Sequence, residues 1–185
     1  MFADYFTVAC KSDKGFNVLL IPRVEGVETT PIKTSYGSAA GTAFVTFDNV
    51  RVPVDNLLGK EGKGFAVIMS NFNHERWIMC CVIVRSCRFI IEECMKWSNQ
   101  RLIFKSNLLA QPVIRHKFAR MIAVVEGNQA WLESITYQMT SMTATEINAN
   151  LAGSIALLKM ASTRMAHDIA DDAVQIFGGR LYLLK

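Results

Sequence analysis

The sequence predicts an α+β chain in which a short N-terminal β-segment precedes an antiparallel helical bundle. Three observations predict it. The first stretch of the chain holds short β-branched and aromatic runs separated by turn residues. A glycine-punctuated passage, Gly59 to Gly64, then interrupts the pattern. From Phe65 onward apolar residues recur at three- and four-residue spacing, the period of a helix with one buried face.

Taken in order, Tyr5-Phe6-Thr7-Val8-Ala9 and Phe16-Asn17-Val18-Leu19-Leu20-Ile21 read as two strands joined by a turn over Ser12, Asp13, Lys14 and Gly15. Thr29 to Gly41 is polar and reads as loop with room for one further strand. Ala43-Phe44-Val45-Thr46-Phe47 alternates as a strand does, and Asp48-Asn49 turns the chain. Val50-Arg51-Val52-Pro53 follows as an edge segment closed by its proline. The expected division is residues 1–58 for the β-part, 59–64 for a linker and 65–185 for the helices. Gly59-Lys60-Glu61-Gly62-Lys63-Gly64 has neither the lysine-hydroxyl ending of a phosphate loop nor GxGxxG spacing, which leaves the linker reading.

Helical spacing runs through Phe65–Asn99, Gln111–Met142 and Ile147–Phe177, with breaks at Ser98 to Ala110 and at a threonine-rich corner, Thr140 to Thr145. Three long helices with short connections predict an antiparallel bundle. Gly178-Gly179 supplies the glycine that commonly ends a helix.

Composition narrows the function. Half of the 185 residues are hydrophobic (51%) and 19% are charged, a balance that builds a core and excludes disorder. The apolar run from Trp77 to Val84 is stopped by Arg85, too short for a membrane span. The net charge of +4 suits a phosphate-bearing ligand or an ordinary basic surface, and no Lys/Arg block marks a nucleic-acid binder. Cys80, Cys87 and Cys94 fall seven apart and stack along one helix stripe. With no CxxC pair among the five cysteines, they read as small packing groups bearing free thiols in a reducing, intracellular setting. His74, His116 and His167 are scattered, and Arg115-His116-Lys117 with Arg120 reads as a basic helix face, so no metal site is expected.

The order of the segments carries a resemblance. Phe44-Val45-Thr46-Phe47-Asp48-Asn49-Val50-Arg51-Val52-Pro53, then Asn56-Leu57-Leu58-Gly59 and Gly62-Lys63-Gly64-Phe65, resembles the passage that leaves the middle β-domain of acyl-CoA dehydrogenases. Arg101-Leu102-Ile103-Phe104 with Gln111, and Asp172-Ala173-Val174-Gln175-Ile176-Phe177-Gly178-Gly179, resemble two further elements of that family. The resemblance implies the end of a β-barrel-like domain joined to the family's C-terminal helical domain, lacking its last helix. It further implies an FAD enzyme that oxidises the α,β bond of an acyl-CoA thioester, assembled as a homo-oligomer, dimer or tetramer, with the cofactor shared between subunits.

The resemblance also implies roles. Glu75 falls where some members place the carboxylate base, and most others carry it in a loop beyond the glycine pair. Asn73 and Arg76 fall on the substrate-contacting stretch. Arg101, Phe104, Gln111, Gln175, Gly178 and Gly179 fall on the contacts to a neighbour's FAD. Lys105 stands where the family usually has glycine, adding bulk and charge beside that contact. From the residues alone, Glu75-Arg76 reads first as a solvated pair near a helix start, and Gly178 also as a plain cap. A non-catalytic assembly module, using a face such as Trp131 to Met142, and an acyl-CoA oxidase remain open alternatives. Alone, the chain is expected to bind FAD weakly or not at all, since a dimer supplies only adenosine-side contacts.

Overall fold

A computed structural model describes residues 1–35 and 37–182. The chain divides into two compact units, residues 1–71 and 72–185.

In the first unit, β1 (Tyr5–Ser12) and β2 (Gly15–Pro22) form an antiparallel hairpin in the register Tyr5↔Pro22 to Ser12↔Gly15. Strand β3 (Val27–Pro31) pairs antiparallel with β4 (Ala43–Phe47). It begins two residues before the stretch in which a further strand had room. Phe6 of β1 meets Phe47 of β4 edge-on, with ring centroids 5.8 Å apart. Residues 50–53 are not a strand. The added edge comes instead from β5 (Leu57–Leu58), which pairs with Val18 and Leu19 after a 3-10 turn over Val54–Asn56. The side-chain amide of Asn56 holds that turn by donating to the Leu20 carbonyl at 2.8 Å.

The glycine-rich stretch is tied to the hairpin. Gly62 N–H donates to Asn17 Oδ1 at 2.8 Å, while Asn17 Nδ2 donates to Ser12 Oγ at 2.8 Å. This satisfies the amide of the buried Asn17 at both ends. Gly62 has φ of 74°, and a Cβ there would lie 2.5 Å from the Lys14 carbonyl oxygen, so no other residue fits.

Helix α1 spans Gly64–Gln100. Within the second unit its buried positions are Asn73, Cys80, Val84, Cys87, Ile91, Cys94 and Ser98. From Cys80 on, the spacing alternates four and three, the repeat of a coiled-coil seam. Helix α2 (Pro112–Thr140) buries Phe118, Met121, Val125, Leu132 and Ile135. Helix α4 (Ala152–Phe177) buries a similar seam from Ile155 to Ile176. These faces form one core. Trp77 Nε1 donates to Thr136 Oγ1 at 2.9 Å, and Arg88 pairs with Glu126, so α1 and α2 run antiparallel. Lys117 pairs with Asp172 and Ser162 donates to Asn128, so α2 and α4 also run antiparallel. The α+β reading, strands followed by an antiparallel helical bundle, holds.

Two connections differ from the sequence pattern. Between α1 and α2 the chain makes a miniature hairpin, β6 (Leu102–Ile103) and β7 (Ser106–Asn107), then a 3-10 turn over Leu108–Ala110. The third helical stretch starts earlier than expected and is broken at Leu151 into α3 (Ala144–Asn150) and α4. Thr143 and Glu146 form a reciprocal capping box that starts α3. The Thr143 backbone N–H and hydroxyl hold the Glu146 carboxyl below its usual pKa.

The seam thiols behave as apolar packing groups. Burial pushes Cys80, Cys81 and Cys87 up, and Cys94 up to about 11.

Candidate functional site

The sequence-derived residues of the second unit gather at two places on α1. Near its start, Asn73 is buried and donates through Nδ2 to Asn148 Oδ1 of α3 at 2.7 Å. Asn73 Oδ1 accepts from Arg76 Nη1 at 3.3 Å, and the Arg76 guanidinium lies over the Phe72 ring, 5.6 Å from its centroid. The structure therefore joins Asn73 and Arg76. Glu75 lies between them in sequence and is exposed on another face of α1. His74 and Trp77, also on this turn, approach at 5.6 Å between ring centroids.

The second place is where α1 and α4 both end. Trp97, in the last turn of α1, stacks on Phe177 at the end of α4 with centroids 6.2 Å apart and planes at 21°. The Arg101 guanidinium carbon lies 5.6 Å from the Trp97 ring centroid and that of Arg180 lies 4.4 Å from it. One ring thus carries two cations at the C-terminal ends of two helices, where the dipoles favour positive charge. Among the described residues, neither Arg101 nor Arg180 forms an ion pair with a carboxylate. Among the described residues, Trp97 Nε1 and Ser98 Oγ are buried without a hydrogen-bond partner. Such orphans each cost about 1–3 kcal/mol.

The remaining residues surround this end. Gly178 caps α4 with φ of 62°, its N–H donating to the Val174 carbonyl. Among the described residues, a Cβ at Gly178 or Gly179 would meet nothing within 4 Å, so this backbone face is open to them. Gln175 is exposed on the last turn of α4. Gln111 precedes α2, its Nε2 donating to Ser106 Oγ at 3.2 Å. Phe104 stands at the tip of the miniature hairpin, 91% exposed, with φ of 46°, and Lys105 follows with φ of 65°.

Sequence reasoning missed Trp97, Arg180 and Asn148. Trp97 was readable, because it lies one helical turn before Arg101, where side chains four apart meet. Arg180 and Asn148 carried no such signal, since only the fold brings them to α1.

The donor set at the Trp97 end fits an anionic, aromatic ligand such as a dinucleotide. Unneutralised guanidiniums suit phosphoryl oxygens, and open glycine backbone admits close approach. The exposed Phe104 ring offers an apolar face beside them.

Comparison with known proteins agrees in direction. The model of the family described as acyl-CoA dehydrogenase, C-terminal domain, matches residues 62–185. The chain is 33% identical over 185 residues to the acyl-CoA dehydrogenase apdG of Emericella nidulans, covering 97% of this chain and 42% of that protein. It is 32% identical over 155 residues to the mitochondrial very long-chain specific acyl-CoA dehydrogenase of Macaca fascicularis, covering 83% and 23%. Among solved structures, an acyl-CoA dehydrogenase from Geobacillus kaustophilus superposes with a TM-score of 0.87 at 24% identity, over 99% of this chain and 49% of that one. An acyl-CoA dehydrogenase of Bacillus anthracis complexed with FAD superposes with a TM-score of 0.83 at 27% identity, over 98% and 34%. The chain thus spans less than half the length of these relatives. The matched helices and strands place it without ambiguity: this chain belongs to the acyl-CoA dehydrogenase family, a family of flavin-dependent oxidoreductases.

Proposed function

We propose that this chain forms part of an FAD-dependent enzyme that oxidises the α,β bond of acyl-CoA thioesters, and that the cofactor is shared between two copies. One observation carries the shared arrangement. Glu75 and the end of α1 at Gln100 lie on one unbroken helix, which separates them by about 38 Å at 1.5 Å per residue. That exceeds the diameter of a small domain, so one bound ligand does not reach both. Each end then serves a different site, Glu75 one and Arg101 with the Gly178-Gly179 backbone another.

In this reading Glu75 removes the proton alpha to the thioester, while Asn73 and Arg76 line the approach of the substrate. A carboxylate does this best in a water-poor pocket, which raises its proton affinity toward the working pH. Glu75 is exposed in the chain by itself, so the bound acyl group supplies that exclusion of water. At the other end Arg101 holds the phosphoryl oxygens, Phe104 packs against a flat ring, and Gln111 and Gln175 contribute amide donors. The flavin, when bound, accepts the β-hydrogen as hydride.

The test is acyl-CoA-dependent reduction of a dye acceptor, with and without Glu75→Gln. A general base contributes about 10²–10⁴-fold, and a loss in kcat of that order is expected with FAD binding unchanged. Unchanged turnover removes Glu75 from the mechanism and leaves the base elsewhere.

A further inference from the structure

We propose that Arg180 is a second phosphate ligand, forming with Arg101 a two-guanidinium clamp for a nucleoside diphosphate, and that Trp97 is the positioning residue holding both. The proposal rests on the shared-cofactor reading above and goes beyond it in naming the diphosphate's second contact and the group that sets its geometry.

Four observations carry it. Both guanidinium carbons lie near one ring, at 5.6 and 4.4 Å, which bounds their mutual separation at about 10 Å, the sum of the two. Two cations within that bound can each offer a forked pair of hydrogen bonds to one phosphoryl group of a diphosphate. Among the described residues no carboxylate neutralises either of them. Among the described residues, Trp97 keeps a buried indole N–H without a partner. The wide indole ring, stacked on Phe177 of α4, carries both guanidinium groups. Finally, no described residue obstructs the Gly178-Gly179 backbone next to Arg180, so the phosphoryl groups can approach it.

A helix-end role alone predicts something different. Cations at the ends of α1 and α4 would stabilise those ends by the dipole and would not distinguish one phosphoryl group from two. The discriminating measurement is therefore a ratio of affinities.

The experiment titrates the full chain with ADP and with AMP at low salt, following the nucleotide by ligand-observed NMR, which reads millimolar affinities. The wild type is expected to bind ADP about tenfold more tightly than AMP, the effect of one added charge-assisted contact. Arg180→Gln is expected to erase that preference while leaving AMP binding within about twofold. Arg180→Lys, which keeps the charge without the planar fork, is expected to recover part of it. Trp97→Leu is expected to erase the preference with both arginines still present, and Trp97→Phe, which keeps an aromatic rest and the fold, to retain most of it. An undiminished ADP preference in Arg180→Gln overturns the clamp. Equal binding of ADP and AMP by the wild type also overturns it, while the adenosine-side site stands. If the wild type binds neither ADP nor AMP, the adenosine-side site of the shared-cofactor reading falls with it.

Discussion

Lys105→Gly should stabilise the helical unit. Ile103 pairs with Ser106, so Phe104 and Lys105 form a two-residue hairpin loop, and both have positive φ, 46° and 65°. The hairpin turns that demand this favour Asn-Gly, because a Cβ in the left-handed region costs about 1–2 kcal/mol. Glycine relieves that cost, although its freer unfolded chain returns about 0.5–1 kcal/mol. The net expectation is a gain of about 0.5–1 kcal/mol. Urea unfolding followed by tryptophan fluorescence reads this unit specifically, since Trp77, Trp97 and Trp131 all lie in it. With slopes of about 1–3 kcal/mol per molar, the midpoint should rise by a few tenths of a molar. Lys105→Ala, which removes the charge and keeps the Cβ, should gain nothing. An unchanged or lowered midpoint for glycine, or an equal gain for alanine, refutes the assignment of strain to this turn.

Asn148→Ala leaves the buried Asn73 amide without its acceptor and should cost about 1–2 kcal/mol by the same unfolding assay. Lys117→Met strands the largely buried Asp172 carboxylate and should cost about 1–2 kcal/mol, most of it recovered when Asp172→Leu is added. The thiols give a pH dependence. Cys94 is raised from 9.0 to about 11 in the folded state, so its contribution is present below pH 9 and is lost as pH rises through 11. Cys94→Ala should flatten the fall in stability over that interval, and alkylation of Cys80, Cys87 and Cys94 at pH 8 should occur only on unfolding.

Long-period signals in the sequence survived folding, and short ones did not. The hairpin over Ser12 to Gly15 and the three helical stretches were legible because many residues share each pattern. Strand β5 is two residues long, and its pairing with Val18 and Leu19 is decided by the turn before it, so no local pattern announces it. Val50 to Pro53 has strand-like residues but no partner strand. The miniature hairpin was hidden by its turn residues, Phe104 and Lys105, which are the wrong chemistry for that turn. The start of α3 was readable as Thr143-x-x-Glu146, and the break at Leu151 was not, since neither Gly nor Pro marks that residue. At the candidate site, Arg101 was singled out by family order, whereas the meeting of Arg101, Arg180 and Phe177 around Trp97 depends on α1 and α4 ending together.

The unbroken length of α1 has a genetic consequence. If each copy lends its base to one site and its cation pair to another, then two different inactive variants should rescue each other. Co-expressed Glu75→Gln and Arg101→Gln subunits would form mixed pairs with one intact site and one doubly impaired site. A chain that built its whole site from itself would show no such rescue. A rigid helix fixes the distance between the two contributions, so shortening α1 by whole turns should abolish rescue even where each end still folds.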